Sequence, residues 1–140
     1  MTEEKKKTKS VLIVDDENSN IMALTHILSP EYNIYAAKSG EQAIKAAEKY
    51  SPDVILLDII MPEMDGYAVI AALKASEQTQ NIPVIFISGL NRADDEEKGL
   101  ALGAVDYIAK PFSSDVVSFR VKNQIEVSGR QRSEAGRLGL

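Results

Sequence analysis

The sequence predicts an α/β fold built on an open, doubly wound sheet of five parallel strands. Five short runs rich in Val, Ile, Tyr and Phe recur along the chain, at about Val11–Val14, Asn33–Ala36, Val54–Leu57, Val84–Ile87 and Val105–Ile108. Three of them are apolar without interruption, as in a strand covered on both faces. A segment with helical signals follows each run, and that alternation is the signature of a parallel sheet.

The helices follow in order. After the first strand, Asn18 and Ser19 are start signals, Ile21, Leu24 and Leu28 recur at helical spacing, and Pro30 ends the segment. The second helix opens on Ser39-Gly40-Glu41-Gln42, a capping-box pattern, and sets Ala43, Ile44, Ala47 and Tyr50 on one face. The third runs from about Asp65 to Ala75 with Val69, Ile70 and Leu73 inward. The fourth, about Arg92 to Leu102, is weak: Asp94, Asp95, Glu96 and Glu97 crowd it, Gly99 interrupts it and Gly103 can close it. It is expected to be the most mobile of the five. The fifth, about Ser114 to Val127, places Val117, Val121 and Ile125 at i, i+4 and i+8 and is expected to stop near Gly129.

A length of 140 residues fits one domain, and 44% hydrophobic with 26% charged residues is an ordinary globular composition, which excludes collagenous or disordered chains. The absence of cysteine removes disulfides, thiolate metal sites and thiol nucleophiles. Apolar runs such as Val54-Ile55-Leu56-Leu57 fall far short of the roughly 18 residues that cross a bilayer. The first ten residues lack the apolar stretch of a secretory signal, so a cytoplasmic location is expected. Residues 1–10 and 129–140 each carry a charge of +2, which leaves −9 of the net −5 on residues 11–128. Such a body repels polyanions, so nucleic-acid binding by this segment is not expected. The expected organisation is a flexible basic tail at 1–9, a folded domain at 10–128, and a tail or linker at 129–140.

In doubly wound sheets functional groups gather beyond the carboxyl ends of the strands. Here those ends run into Asp15-Asp16-Glu17, Asp58, Ser88 and Lys110-Pro111. A lone Asp at a strand end is usually a turn former or a cap; three, with a hydroxyl and a lysine at equivalent ends, point to a site. Converging carboxylates repel, each pair at about 4 Å by about 1 kcal/mol in water and about 4 kcal/mol at an effective dielectric of 20. Lys110 supplies one positive charge, and a nest of oxygens without His or Cys suits a hard cation such as Mg²⁺. A cation, a lysine and a hydroxyl around a carboxylate are what phosphoryl transfer needs. Asp58 would attack in line, with Lys110 and Ser88 on the phosphoryl oxygens, giving an aspartyl phosphate.

Asp15-Asp16, the run Asp58-Ile59-Ile60-Met61-Pro62-Glu63-Met64-Asp65-Gly66, Ser88-Gly89 and Lys110-Pro111-Phe112 together resemble the receiver domain of two-component response regulators, the CheY-like family, over residues 10–128. The resemblance implies a flavodoxin-like (βα)5 fold with strand order 2-1-3-4-5. It implies Asp58 as phosphoacceptor, Asp15, Asp16, Asp58 and the backbone carbonyl of Ile60 as ligands of one Mg²⁺, for which Mn²⁺ could substitute, and a cis Lys110–Pro111 peptide. Ser88 and Tyr107 correspond to the family's switch pair. The implied partners are a sensor histidine kinase or phosphotransfer protein as phosphoryl donor, and a fused output domain or second copy docking on the helix 4/strand 5/helix 5 face. Such a domain is a signalling switch that catalyses its own phosphorylation and dephosphorylation rather than a conventional enzyme. The segment from Gly129 to Leu140 resembles the start of a linker to an output domain, and Arg120-Val121-Lys122-Asn123 faintly resembles receivers joined to cyclic-dinucleotide enzymes.

Two positions depart from the commonest pattern: Ile60 and Leu90 are apolar where several relatives carry polar groups that place the hydrolytic water, so a long-lived phosphoryl group is expected. Ile60 also weakens the alternative of a Mg²⁺-dependent phosphatase with an aspartyl nucleophile, which would carry a second acid two residues after Asp58. A mononucleotide binder is disfavoured because Asp15-Asp16-Glu17 would repel a phosphate. His26, the single histidine, is expected to be a partly exposed helix residue, and with no Gly-rich nucleotide loop the chain is not its own kinase.

Overall fold

A computed structural model describes residues 7–90 and 92–137, the last of these, 130–137, as backbone only. The rest of the expected tails, residues 1–6 and 138–140, lies outside the described residues. Five strands, β1 (Ser10–Val14), β2 (Asn33–Ala37), β3 (Val54–Leu57), β4 (Val84–Ser88) and β5 (Asp106–Ala109), alternate with five helices, α1 (Asn18–Leu28), α2 (Gly40–Tyr50), α3 (Gly66–Lys74), α4 (Ala93–Ala101) and α5 (Ser114–Arg137). The strands form one parallel sheet in the order β2-β1-β3-β4-β5. This is the flavodoxin-like order expected from the resemblance.

Every residue of β3 and β4 is buried, which explains their unbroken apolar runs: both faces of the sheet are covered. On one face Leu12, Val14, Ile55, Leu57 and Phe86 pack with Ala43 and Ala47 of α2 and Val69, Ile70 and Leu73 of α3. On the other, Val11, Ile13, Leu56, Ile85 and Ile87 pack with Leu24 and Leu28 of α1 and Val117, Val121 and Ile125 of α5.

The helix signals hold locally. Ser39 caps α2 by accepting from the Gln42 N–H at 3.2 Å, and the Gln42 side chain reaches back to the Lys38 N–H at 3.0 Å. Asp65 caps α3 through the Ala68 N–H at 2.9 Å. In α4 the N-cap Arg92 makes no side-chain cap, and Gly99 is the only buried residue.

Three expectations shift. Tyr50 sits outside the core, 41% exposed, with its ring stacked on Tyr35 at 4.1 Å. Strand β5 starts at Asp106 rather than Val105, because Gly103 turns the chain at φ 110° and leaves Val105 exposed. Helix α5 does not stop at Gly129 but continues to Arg137. A single interior glycine costs a helix about 1 kcal/mol, too little to end one followed by Gln131, Arg132, Glu134 and Ala135.

The register positions the site. Val14 of β1 pairs with Leu57 of β3, so the next residues, Asp15 and Asp58, leave the sheet side by side, and the Asp58 N–H donates to the Val14 carbonyl at 2.9 Å. Gly66 locks the Asp58 loop from behind: its N–H donates to the Ile59 carbonyl at 2.8 Å, and a Cβ there would stand 2.5 Å from the Asp58 carbonyl oxygen and 2.7 Å from Ile59 Cα. Backbone cannot yield as a side chain can. Gly66→Ala is therefore expected to lower unfolding stability by about 3 kcal/mol, read as the urea midpoint.

Candidate functional site

The loop after β1 brings Asp15 and Asp16 to the crevice, and the end of β3 brings Asp58. Each of the three can place a carboxylate oxygen within 4.8 Å of the others. Asp15 and Asp58 are only 1% and 4% exposed, while Asp16 is half-buried. The end of β5 adds Lys110, whose ammonium stands 2.9 Å from Asp15 Oδ2 and 3.6 Å from Asp58 Oδ2. The Lys110 N–H donates to the Ser88 carbonyl at 2.9 Å, which ties the end of β5 to β4, and the Lys110–Pro111 peptide is cis.

One ammonium cannot neutralise three carboxylates. Burial pushes the Asp58 carboxyl up to about 6; the Lys110 charge opposes the rise, and the Asp15 charge adds to it. Burial works to lower the Lys110 ammonium, but its hydrogen bond to Asp15 and the charges of Asp58 and Asp15 more than offset this and hold it above its ordinary value. With Asp58 fully ionised the cluster would carry a charge of about −2 in a low-dielectric crevice, so it favours a further cation. The donors are all oxygen, which fits a hard divalent ion.

A cleft of about 660 Å³ opens over the cluster, lined by Asp16, Asp58, Ile60, Lys110 and Phe112, and by Asn20, which sequence reasoning missed. Helical spacing could have found it, since Asn20 lies one turn beyond Asp16-Glu17 and its amide donates to Glu17 at 3.2 Å. Ile60 projects into this opening and is 58% exposed. Ser88 is buried at the end of β4, its hydroxyl oxygen accepting the Leu90 N–H at 3.2 Å. Tyr107, half-buried on β5, donates its hydroxyl to the Leu90 carbonyl, so both expected switch residues meet the loop after β4. His26 is exposed on α1, away from this cleft's lining.

The response regulator receiver domain family matches residues 11–122. The chain belongs to this family. A Vibrio cholerae protein named a probable cyclic di-GMP phosphodiesterase is 44% identical over 84% of this chain and 26% of its own length. The alkaline phosphatase synthesis transcriptional regulatory protein PhoP of Bacillus subtilis is 39% identical over 81% of this chain and 47% of its own. The crystal structure of the Vibrio cholerae chemotaxis protein CheY4 superposes with a TM-score of 0.77 at 27% identity, covering 84% of this chain and 98% of that one. The chain thus spans less than half the length of these two curated relatives. A receiver domain is a signalling module of two-component systems, served by histidine kinases, rather than a conventional enzyme. The triad Asp15, Asp16 and Asp58 is the acidic pocket such a domain presents, of the kind receivers use for Mg²⁺. No helix among the described residues is long and apolar enough to cross a membrane.

Proposed function

We propose that this receiver accepts a phosphoryl group on Asp58 from the phosphohistidine of a sensor kinase or phosphotransfer protein, and that the modification alters binding of an output domain or partner. The observation that carries the reading is the placement of a buried carboxylate, Asp58, within 4 Å of one lysine and beside two further acids at the mouth of an open cleft. An Asp58 oxygen forms the new bond to phosphorus, and the P–N bond of the phosphohistidine breaks with its electron pair going to the imidazole, which takes up a proton. Lys110 holds the phosphoryl oxygens by charge and Ser88 by its hydroxyl. Asp15, Asp16, Asp58 and the Ile60 carbonyl would hold one Mg²⁺, or Mn²⁺ in its place. That ion supplies neutralisation of the charge gathered at the transferring group.

Residues 10–128 form the receiver, with 1–9 and 129–140 as flanking segments, and the protein works in the cytoplasm. The partner face comprises α4, β5 and α5, where Leu100, Val116 and Phe119 expose apolar side chains, with Val105 exposed just before β5. Tyr107 and Ser88 report the state of Asp58 to it.

Incubation with acetyl phosphate and Mg²⁺ tests the reading: uptake should stop at one phosphate per chain and fail with EDTA, whereas sustained release of phosphate from phosphomonoesters would replace the switch by an enzyme. Ile60 bears on the lifetime. Its apolar, exposed side chain offers no hydrogen bond to an attacking water, so Ile60→Asn should shorten the half-life of the phosphorylated form by roughly tenfold; an unchanged half-life by mass spectrometry contradicts this.

A further inference from the structure

Helix α4 buries only Gly99, and a residue of α3, Tyr67, touches both its first and its last turn. Three contacts matter, two with α4 and one with β4. Its hydroxyl donates to the backbone carbonyl of Asp95 in the first turn of α4, at 3.3 Å. The Lys98 ammonium stands 4.2 Å from the centre of its ring, a cation–π contact with the last turn of the same helix. Its ring meets Phe86 edge to face at 5.7 Å. Phe86 in turn neighbours Tyr107 at 6.3 Å, so Tyr67, Phe86 and Tyr107 form a row of rings beneath α4. Gly99 lies so close to the middle ring that a Cβ would come within 2.8 Å of Phe86. Burial, with the charges of Asp95 and Asp65 adding to it, raises the Tyr67 hydroxyl and keeps it a donor.

Tyr67 also begins at the site. Its neighbour Gly66 is bonded by its N–H to the Ile59 carbonyl at 2.8 Å and would carry a Cβ into the Asp58 carbonyl. The Asp58–Ile59 backbone is thus in direct contact with the first turn of α3, and that turn carries the tyrosine. Tyr107 reaches the same region from β5, through the Leu90 carbonyl.

We propose that Tyr67 is a positioning residue that couples the Asp58 loop to α4, with its ring and hydroxyl gripping Lys98 and Asp95 so that a change at Asp58 resets the helix. This rests on phosphorylation of Asp58. It adds to the Ser88–Tyr107 pair a second connection that runs through α3 rather than through β4 and β5. Two connections biasing one weakly buried helix make that helix the two-state element of the switch.

The test reads phosphate uptake by intact mass and amide hydrogen exchange of residues 95–102 on the same samples, with and without acetyl phosphate and Mg²⁺. In the wild-type chain phosphorylation should change α4 exchange by about tenfold, within the usual range of coupling between sites. Tyr67→Leu should still gain one phosphate but shrink that change to under about twofold. Tyr67→Phe, which keeps the ring over Lys98, should restore at least half of it on a logarithmic scale. The exposed Lys98→Gln, which cannot unfold the core, should reduce the change partially and leave uptake intact. An unreduced α4 response in both Tyr67→Leu and Lys98→Gln, with phosphate gained, overturns the coupling alone. A wild-type chain that gains no phosphate overturns the reading of Asp58, and the coupling with it.

Discussion

Asp58→Asn is expected to stabilise the protein in the absence of divalent cations by about 2 kcal/mol at pH 7.5 and to lose that advantage below about pH 4. The sign follows from the carboxyl, which titrates at about 6 in the folded chain against 3.8 for an unperturbed Asp, chiefly because it is buried. The native state then binds the proton more tightly than the unfolded state does. Its contribution to stability is fully present below pH 3.8 and is lost as the pH rises through 6, beyond which the cost is constant. Asparagine has nearly the same shape and no charge, so it escapes the cost. The shift corresponds to about 3 kcal/mol by linkage, reduced to about 2 because the crevice opens to water. Mg²⁺ should reverse the order at pH 7.5, stabilising the wild type and leaving the variant almost unchanged. Urea midpoints at pH 4 and 7.5, with and without Mg²⁺, check all of this; a less stable Asp58→Asn at pH 7.5 without metal contradicts the charge assignment.

Lys110→Ala acts in the opposite direction on the same charges. Removing the ammonium 2.9 Å from Asp15 and 3.6 Å from Asp58 leaves two buried carboxylates facing each other. Breaking a fully buried pair in this way costs about 3–5 kcal/mol; with the Lys110 side chain 20% exposed, about 2 kcal/mol is expected at pH 7.5 without metal. Phosphate uptake should fall by about a hundredfold or more, since the ammonium that stands 3.6 Å from Asp58 Oδ2 is gone. Lys110→Ala should cost less in the Asp58→Asn background, because one of the two carboxylates that face the ammonium is then uncharged, so the double variant should be more stable than the sum of the two single effects. An equal cost of Lys110→Ala in the wild-type and Asp58→Asn backgrounds would show that Lys110 acts through packing and not through its charge on Asp58.

Most of the site could be read directly because it hangs on strand ends. Unbroken apolar runs such as Val54–Leu57 mark buried strands, and the polar residue that follows each run must emerge at the rim of the sheet, which is how Asp58 and Ser88 are legible. The strand order is not contained in those runs, since each is equally apolar wherever it sits; it came from the resemblance carried by Asp58-Ile59-Ile60-Met61-Pro62-Glu63-Met64-Asp65-Gly66. What the residues did not reveal depends on contacts between distant segments. Tyr50 fits the helical stripe of α2 but meets Tyr35 at the sheet edge. Tyr67 reads as one more residue of α3 until Lys98 and Asp95 fold against it. The pairing of Arg120 with Asp106, at 2.7 and 2.8 Å, likewise joins α5 to β5 across a turn that no local pattern predicts. The end of α5 is hidden for a different reason: Gly129 weakens a helix without having to end it.

The most direct test of the central claim is intact mass after incubation with acetyl phosphate and Mg²⁺, wild type against Asp58→Ala. A single added phosphate is expected on the wild type and none on the variant. An equal gain on both chains would place the phosphoryl group elsewhere and contradict it.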